Sequence, residues 1–357
     1  MADIYTYSGA IHIHSTYSDG SKSISEIAKI ADSLKMDYIL IADHNTLEGK
    51  DNGHEGIYGK TRVIIGYEIN DPHDENLNHY LAFRIDKTLP AEFEPKEYVK
   101  GVKEKGGIGF IAHPHEVRGD IIKDFPGNPW VEWDVEGYDG IEIWNQMSEW
   151  MERLTNLNKL WMIVSPRKGI YQPSKETLSF WDKINLEKRI SGIGGIDVHA
   201  MPYKIGPITL VFFPYKVQFQ SIRTNIVLKE PLTGIFKNDK EKIYQALKRG
   251  NSYIYNMRWG KIDVNPFSIS SENELLLPGD EHIYDPDRDY ELNIEMPKKS
   301  LIKILRNGEE ILNKKSIKFN HKIQKSGNYR IEAYVKNHGW LFTNNIYLKD
   351  KLKKDKI

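Results

Sequence analysis

The sequence predicts an α/β domain built on a largely parallel sheet, followed by a small antiparallel β domain. Three observations predict it. Up to about residue 258, short apolar runs alternate with amphipathic helical stretches. Where those runs end, histidine, aspartate or glutamate recurs. From about Lys261 the helical period gives way to apolar–polar alternation between turn signals.

The strand-like runs of the first part are Ser8–His14, Tyr38–Ala42, Arg62–Gly66, His79–Ile85, Gly107–Ala112, Gly140–Trp144 and Ile190–Ile196. Between them lie helix patterns such as Ser23–Leu34, with Ile24, Ile27, Ala28 and Ile30 on a helical period. A later helix is expected over Asp239–Arg249, with Asp239 as N-cap and Gly250 at the C-terminal cap. The stretch Gln146–Arg189 is long for a connection and reads as two helices around a Pro166–Pro173 loop containing Arg167, Lys168 and Tyr171. Its Trp150, Trp161 and Trp181 fit helix packing better than a substrate cage, and its loop could cover the site as a lid. Beyond it, Tyr290–Glu295, Leu301–Arg306, Asn328–Val335 and Trp340–Leu348 read as strands of a sandwich-like domain, with turns at Asn307-Gly308 and Ser326-Gly327-Asn328. The expected division is therefore 1–258 with a helical insertion at 146–189, a β domain at 259–350, and a solvated lysine-rich tail at 351–357.

Composition narrows the function. With 357 residues the chain can bury a sizeable core, and 50 basic residues balance 50 acidic ones. That balance gives no whole-chain field towards nucleic acid or an anionic membrane. Cysteine is absent, which excludes disulfides, thiolate nucleophiles and cysteine-ligated zinc and favours a reducing compartment. The N-terminus enters a strand-like run without a leader pattern, and no apolar run reaches the ~18 residues of a membrane span. A cytoplasmic protein is the expectation.

The ionisable residues carry the chemistry. His12 and His14 lie two apart in an apolar run, so a regular strand would aim both at one face. Tyr38–Ala42 runs into Asp43 and His44, Val63–Gly66 is followed by Glu68, Gly109–Ala112 leads into His113 and His115, and Gly194–Ile196 leads into Asp197 and His199. In a parallel α/β barrel the carboxyl ends of the strands share one face, so these residues would converge. A lone strand histidine is more often a hydrogen-bonded core residue than a ligand. Nine of the twelve histidines, however, precede residue 200, and most stand where strands end. Imidazole and carboxylate without thiolate suit two or three divalent ions, zinc, manganese or iron. Glu68 could bridge two of them and support a bridging hydroxide as nucleophile.

His12-x-His14, Ser18-Asp19-Gly20, Ala42-Asp43-His44-Asn45, Glu68, His79, Ala112-His113-Pro114 and Asp197-x-His199 together resemble the PHP (polymerase and histidinol phosphatase) family of metal-dependent hydrolases. The resemblance covers roughly residues 8–256. Within the family the chain is most similar to the CehA/McbA-like branch, named for carbaryl hydrolases. That likeness rests on Ala42–Thr46, on Phe180-Trp181-Asp182 before Gly192–Asp197, and on Gly327-Asn328-Tyr329-Arg330. The resemblance to the PHP family implies a distorted seven-stranded (β/α) barrel with its metals at the carboxyl ends of the strands. It also implies that His12, His14, Glu68 and Asp197 surround one ion, that Glu68, His79 and His113 hold a second, and that Asp19, His44 and His199 form a third site. Some branches carry histidine at the position of Asp19. With the third position empty, Asp19, His44 and His199 would relay protons instead.

Around this set, Asp43 is expected to orient an imidazole. His115, Arg118 and Asn145 are candidates to meet substrate, and Asp19, Glu68 and His199 to take part in catalysis. Glu142, alternating with apolar neighbours, reads as structural. His54, His73, His282, His321 and His338 read as ordinary polar residues. His79 opens its run rather than ending it, which makes it the odd member of the ligand set. The function expected is a metal-dependent phosphoesterase acting on a small phosphorylated ester. Carboxylic ester or carbamate hydrolysis and nucleotide or oligonucleotide phosphodiester cleavage are the alternatives. A homo-oligomer is compatible, and the β domain reads as a stabilising or oligomerisation module.

Overall fold

The computed structural model describes residues 3–118, 126–205, 208–272 and 274–351. Strand β1 (Tyr5–Ile13) leads through a capping-box helix α1 (Ile24–Ser33) to β2 (Tyr38–His44), and the short α2 (Glu48–Asp51) follows. A hairpin joins β3 (Gly56–Tyr58) to β4 (Thr61–Ile69), which pairs parallel with β2 in register from Tyr38–Arg62 to His44–Glu68. Next come β5 (Tyr80–Phe83), α3 (Pro95–Glu104), β6 (Ile108–Ile111) and β7 (Gly140–Asn145). The insertion forms three short helices, α4 (Gln146–Glu152), α5 (Lys159–Val164) and α6 (Lys175–Ile184), with a 3-10 turn at Pro166–Gly169, rather than the two helices expected. Strand β8 (Ser191–Gly195) follows.

Neighbouring strands run β1-β2-β4-β5-β6-β7-β8. The chain leaving β8 then lies along β1: Ile196 N donates to Ile11 O (3.0 Å), Asp197 N to His12 O (2.8 Å), and His14 N to Val198 O (3.1 Å). One strand breaks the expected parallel pattern, because β5 is antiparallel to both β4 and β6. Its beginning therefore lies where the other strands end.

After a backbone hairpin of β9 (Pro202–Ile205) and β10 (Ile208–Val211) and the short α7 (Tyr215–Gln218), β11 (Ile222–Leu228) pairs antiparallel with β1. Helix α8 (Phe236–Arg249) ends on Gly250, whose positive φ of 76° makes a left-handed cap, and β12 (Ser252–Asn256) pairs with β11. Helix α8 starts three residues before the expected N-cap. Asp239 lies inside its first turn and accepts from Thr233 N, Gly234 N and the Arg62 guanidinium instead.

The C-terminal strands are β13 (Phe267–Ser271), β14 (Glu274–Leu276), β15 (Glu281–Ile283), β16 (Tyr290–Arg306), β17 (Glu309–Ile323), β18 (Gly327–Val335), β19 (His338–Thr343) and β20 (Ile346–Lys349). Pairing is antiparallel except between β15 and β20. The two expected runs Tyr290–Glu295 and Leu301–Arg306 are one strand, irregular between Glu295 and Ser300, and its long partner β17 had not been expected. Aliphatic and aromatic residues of this part form a second core, which takes in Val227, Tyr253 and Tyr255 from β11 and β12. Residues 352–357 of the expected tail lie outside the described residues. No helix among those described is long and apolar enough to cross a membrane.

Candidate metal centre

Three of the expected ligands sit in strained backbone. His12 (φ 67°), His113 (φ 26°) and Asp197 (φ 50°) occupy a region that non-glycine residues rarely enter. At His12 the β1–β2 register shifts between Ala10 and Ile13, so the pair His12 and His14 converges through an irregularity and not through regular strand alternation. Each strained position turns a side chain leaving a strand end towards a common centre. Chain direction accounts for His79: it precedes an antiparallel strand and so joins the same face.

Glu68, fully buried at the end of β4, is the hub. Its Oε1 lies 2.8 Å from His79 Nδ1 and 3.3 Å from His113 Nε2. Its Oε2 lies 3.0 Å from His12 Nε2, 3.4 Å from His14 Nε2 and 3.4 Å from His44 Nδ1. Asp197 Oδ1 closes the other side, 3.5 Å from His12 Nε2 and 3.3 Å from His14 Nε2. At the mouth, Asp19 Oδ2 is 3.2 Å from His199 Nε2 and 3.9 Å from His44 Nε2. Donor atoms within 4.8 Å of one another form overlapping groups: His12, His14 and Glu68; His12, His113 and Asp197; His44, Glu68 and His79; and His14, Asp19, His44 and His199. His14 and His44 thus stand between pockets, where the resemblance assigned each to one ion.

The donor set fits metal. His14 is completely buried, and neither ring nitrogen has a hydrogen-bond partner among the described residues, an arrangement that costs free energy unless something else meets those lone pairs. Burial, then the nearby His199 and His44, pushes its imidazole down to about 3, so it stays neutral as a ligand must. Burial also works against charge on His12 and His113. The carboxylates around them outweigh it, raising His12 well above its ordinary value and His113 to about 9. Glu68 and Asp197 are driven well below the usual carboxylate range by the imidazoles around them, against the opposing effect of burial. Buried carboxylates that hold protons on neighbouring imidazoles form a site that attracts positive charge.

The far nitrogens of three rings are fixed by the protein. His12 Nδ1 meets Glu142 Oε1 (3.1 Å), His79 Nε2 meets Glu75 O (2.7 Å), and His113 Nδ1 meets Asn128 O (3.0 Å). Glu142, read from sequence as merely structural, is therefore a positioning residue; its Oε2 also accepts from His113 N (2.8 Å) and Asn145 Nδ2 (2.8 Å). Among the described residues Asp43 meets no imidazole. It accepts from Ser15 N, Ser15 Oγ and Ser18 Oγ (2.6, 2.6 and 2.8 Å) and so pins the loop that carries Asp19.

The three residues expected to meet substrate each have partners within the protein. Asn145 caps α4 through Ser148 N and leans on Glu142 and Asp197. His115 stacks on Trp133 and bonds Thr177 Oγ1 at 3.0 Å. Arg118 donates to the buried Glu116 at 2.9 Å. A narrow cleft lined by His113, His115, Glu142, Asn145, Gln172 and Thr177 brings the insertion to the edge of the centre. Trp150 and Trp181 are buried, while Trp161 is partly exposed.

Residues 10–113 match the family model of the PHP domain. Uncharacterized protein MJ1587 of Methanocaldococcus jannaschii is 28% identical over 152 residues, spanning 38% of this chain and 80% of the relative. A two-domain protein of Bacteroides vulgatus containing a predicted PHP-like metal-dependent phosphoesterase is 14% identical, with TM-score 0.45 over 96% of this chain and 95% of that one. A candidate metal-dependent phosphoesterase of Bifidobacterium adolescentis is 15% identical, with TM-score 0.33 over 57% of this chain and 92% of that one. The PHP-domain match spans the segment carrying His12, His14, Asp19, His44, Glu68, His79 and His113, so the comparison supports the PHP family for this amino-terminal part of the chain.

Proposed function

We propose that this chain is a metal-dependent hydrolase of phosphate esters, with the strand order β1-β2-β4-β5-β6-β7-β8 forming a distorted barrel around the centre. The observation that carries the reading is Glu68, whose two oxygens face two different sets of imidazoles, as a carboxylate shared between ions requires. In this reading His12, His14, Glu68 and Asp197 hold one ion, Glu68, His79 and His113 a second, and Asp19, His44 and His199 a third. Zinc, manganese and iron suit such donors. Divalent ions held there would supply Lewis-acid activation of water near neutral pH and would offset charge on the phosphoryl oxygens. The protein's own part is to orient: Glu142 and the Glu75 and Asn128 carbonyls fix which nitrogen of each ring faces inward. With the third position empty, Asp19 and His199, 3.2 Å apart, would instead relay a proton to the leaving oxygen, the imidazole carrying it and the carboxylate holding the imidazole.

A second reading, hydrolysis of a carboxylic ester or carbamate as in the CehA/McbA-like branch, is favoured by one observation. Arg118, a candidate phosphate ligand, is engaged by Glu116, and a neutral acyl substrate needs no such cation.

Manganese-loaded protein assayed on naphthyl phosphate and naphthyl N-methylcarbamate separates the two, since both release the same naphthol. Faster chelator-sensitive release from the phosphate is expected, and faster release from the carbamate selects the second reading. Glu68→Gln is expected to reduce turnover to background with the fold retained. Substantial activity in a folded Glu68→Gln protein would sink the bridging assignment.

A further inference from the structure

Helix α5 (Lys159–Val164) presents its apolar residues to solvent. Helix α1, by contrast, buries Ile24, Ile27, Ala28 and Ala31 against the core. Of the six residues of α5 only Met162 is buried. Leu160, Trp161 and Val164 are exposed, and Leu157 in the turn before the helix extends them at the spacing i, i+3, i+4, i+7 of one helical face. Leu157, Val164 and Leu160, at 100, 82 and 77% exposure, are the three most exposed large apolar side chains among the described residues. The protein holds this arrangement in place from beneath. Trp150 Nε1 donates to Met162 O (3.3 Å), Asn158 Nδ2 to Arg153 O (2.8 Å) and Thr155 N to Asn158 Oδ1 (2.7 Å).

The charge along this segment has one sign. From Arg153 to Lys175 the sequence carries Arg153, Lys159, Arg167, Lys168 and Lys175 and no carboxylate. Arg153 is engaged by Glu149 (2.8 Å), and Arg167 donates to Gln220 O (2.9 Å). Lys159 and Lys168 are exposed, one within α5 and the other on the 3-10 turn that follows it. The balanced charge of the whole chain conceals this local excess. A second copy of the chain would cover the face at a cost, because a two-fold interface lays one patch on itself and sets these cations against their own copies. Shape argues the same way as charge. Leu157 stands fully clear of the protein, so the row is a ridge and not a groove. A ridge of aliphatic side chains with a tryptophan and flanking lysines suits a deformable apolar layer beneath an anionic surface.

We infer that this face seats the protein on an anionic phospholipid surface. Leu157, Leu160, Trp161 and Val164 enter the boundary between headgroups and acyl chains, and Lys159 and Lys168 meet lipid phosphates. Apolar burial and charge pairing act together there, the second worth about fivefold in affinity for each cation near the surface. Because the turn and helix are already formed, little ordering entropy opposes docking. The attachment is peripheral and reversible, since six helical residues fall far short of a bilayer's thickness. It needs neither metal nor turnover, so lipid binding and phosphoester hydrolysis stand or fail separately.

The experiment is co-sedimentation of full-length protein with vesicles of phosphatidylcholine containing about 30% phosphatidylglycerol, beside vesicles of phosphatidylcholine alone. Binding to the anionic vesicles is expected, weakening as salt rises above about 50 mM, with much weaker binding to the neutral ones. Lys159→Gln/Lys168→Gln, at exposed positions, should lower affinity for the anionic vesicles about 25-fold, fivefold for each cation. Leu160→Ser/Val164→Ser should lower it at least about tenfold while keeping the salt dependence. If the serine variant misfolds by circular dichroism, the lysine variant decides alone. No binding to anionic vesicles, equal affinity for neutral ones, or undiminished affinity in either folded variant would overturn the inference. Sedimentation velocity without lipid tests the rival cover. An oligomeric state unchanged by Leu160→Ser/Val164→Ser is expected, and an oligomer that this variant dissociates would overturn the inference by placing a second copy on the face.

Discussion

His12 is gripped from both sides, by Glu68 at 3.0 Å on Nε2 and Glu142 at 3.1 Å on Nδ1. A carboxylate behind a ligating imidazole fixes its tautomer and raises its basicity, and losing it costs about 10–100-fold in metal affinity. Glu142→Gln should show that loss in competition with a chromophoric chelator, with an unchanged circular dichroism spectrum. An unchanged affinity would return Glu142 to a structural role. Gly195 is the counterpart on β8: a Cβ there would lie 1.6 Å from Glu142 Oε1, so Gly195→Ala should weaken metal binding by displacing the same carboxylate. Most residues of the cluster were legible because they end or follow an apolar run, where a polar residue is conspicuous. Glu142 was not, because it alternates with Ile141 and Ile143 like any interior strand residue, and only the approach of β1 across the fold shows what it holds. His79 was legible as a residue, but its fit to the shared face needed the antiparallel direction of β5, which periodicity does not encode.

At the scale of elements, helix α6 is clamped to β18. Arg330, fully buried, donates through Nε and Nη2 to Asp182 at 2.7 and 2.6 Å, and its guanidinium packs against Trp181. Removing one member of a buried pair leaves an uncompensated charge, so Arg330→Ala should cost about 3–5 kcal/mol in denaturant unfolding. A loss below about 1 kcal/mol would mean that the pair is as replaceable as a surface one. Helix α8 is anchored through Asp239. Burial raises that carboxyl, but the Thr233 backbone and hydroxyl and the Arg62 guanidinium outweigh it and hold it below the usual range. A depressed carboxylate stabilises fully above its unfolded value of about 4 and loses that contribution as pH falls through its native value. The deficit of Asp239→Asn should thus be largest near neutrality, about 1–3 kcal/mol, and shrink below about pH 4. A deficit that stays constant into acid would refute the anchoring. Elements were legible where a buried apolar face repeats. Strand β11 escaped because its Arg223, Thr224 and Asn225 are polar yet buried, and β17 because most of its residues face solvent.

Across the whole molecule, a hydrogen-bond ladder between β12 and β19 spans the expected boundary at residue 258. Strand β12 pairs with β19 from Tyr253–Thr343 to Tyr255–Leu341. Asn344 accepts from Gly192 N at 2.7 Å and donates to Gly192 O at 2.9 Å and Ser252 Oγ at 2.9 Å, which ties β8 and β12 to the C-terminal strands. Tyr347 OH donates to Asn185 Oδ1 at 2.6 Å, and Phe342 packs edge-on against Trp144, on the same strand as the metal centre's Glu142. Val227, Tyr253 and Tyr255 face the second core and would meet water without it. Residues 1–258 alone would expose those side chains and leave the β12 edge unpaired, a template for association. That fragment should be aggregation-prone, should bind an apolar dye, and should not be rescued by metal, since the ladder it lacks lies outside the ligand set. Near-ultraviolet circular dichroism and metal titration of the fragment check this. A soluble fragment with native tertiary signal and full-length metal affinity would show that the C-terminal strands are a separable module. The expected failure would show instead that they form the missing edge of the sheet that carries the candidate metal centre, so that the two cores belong to one folding unit.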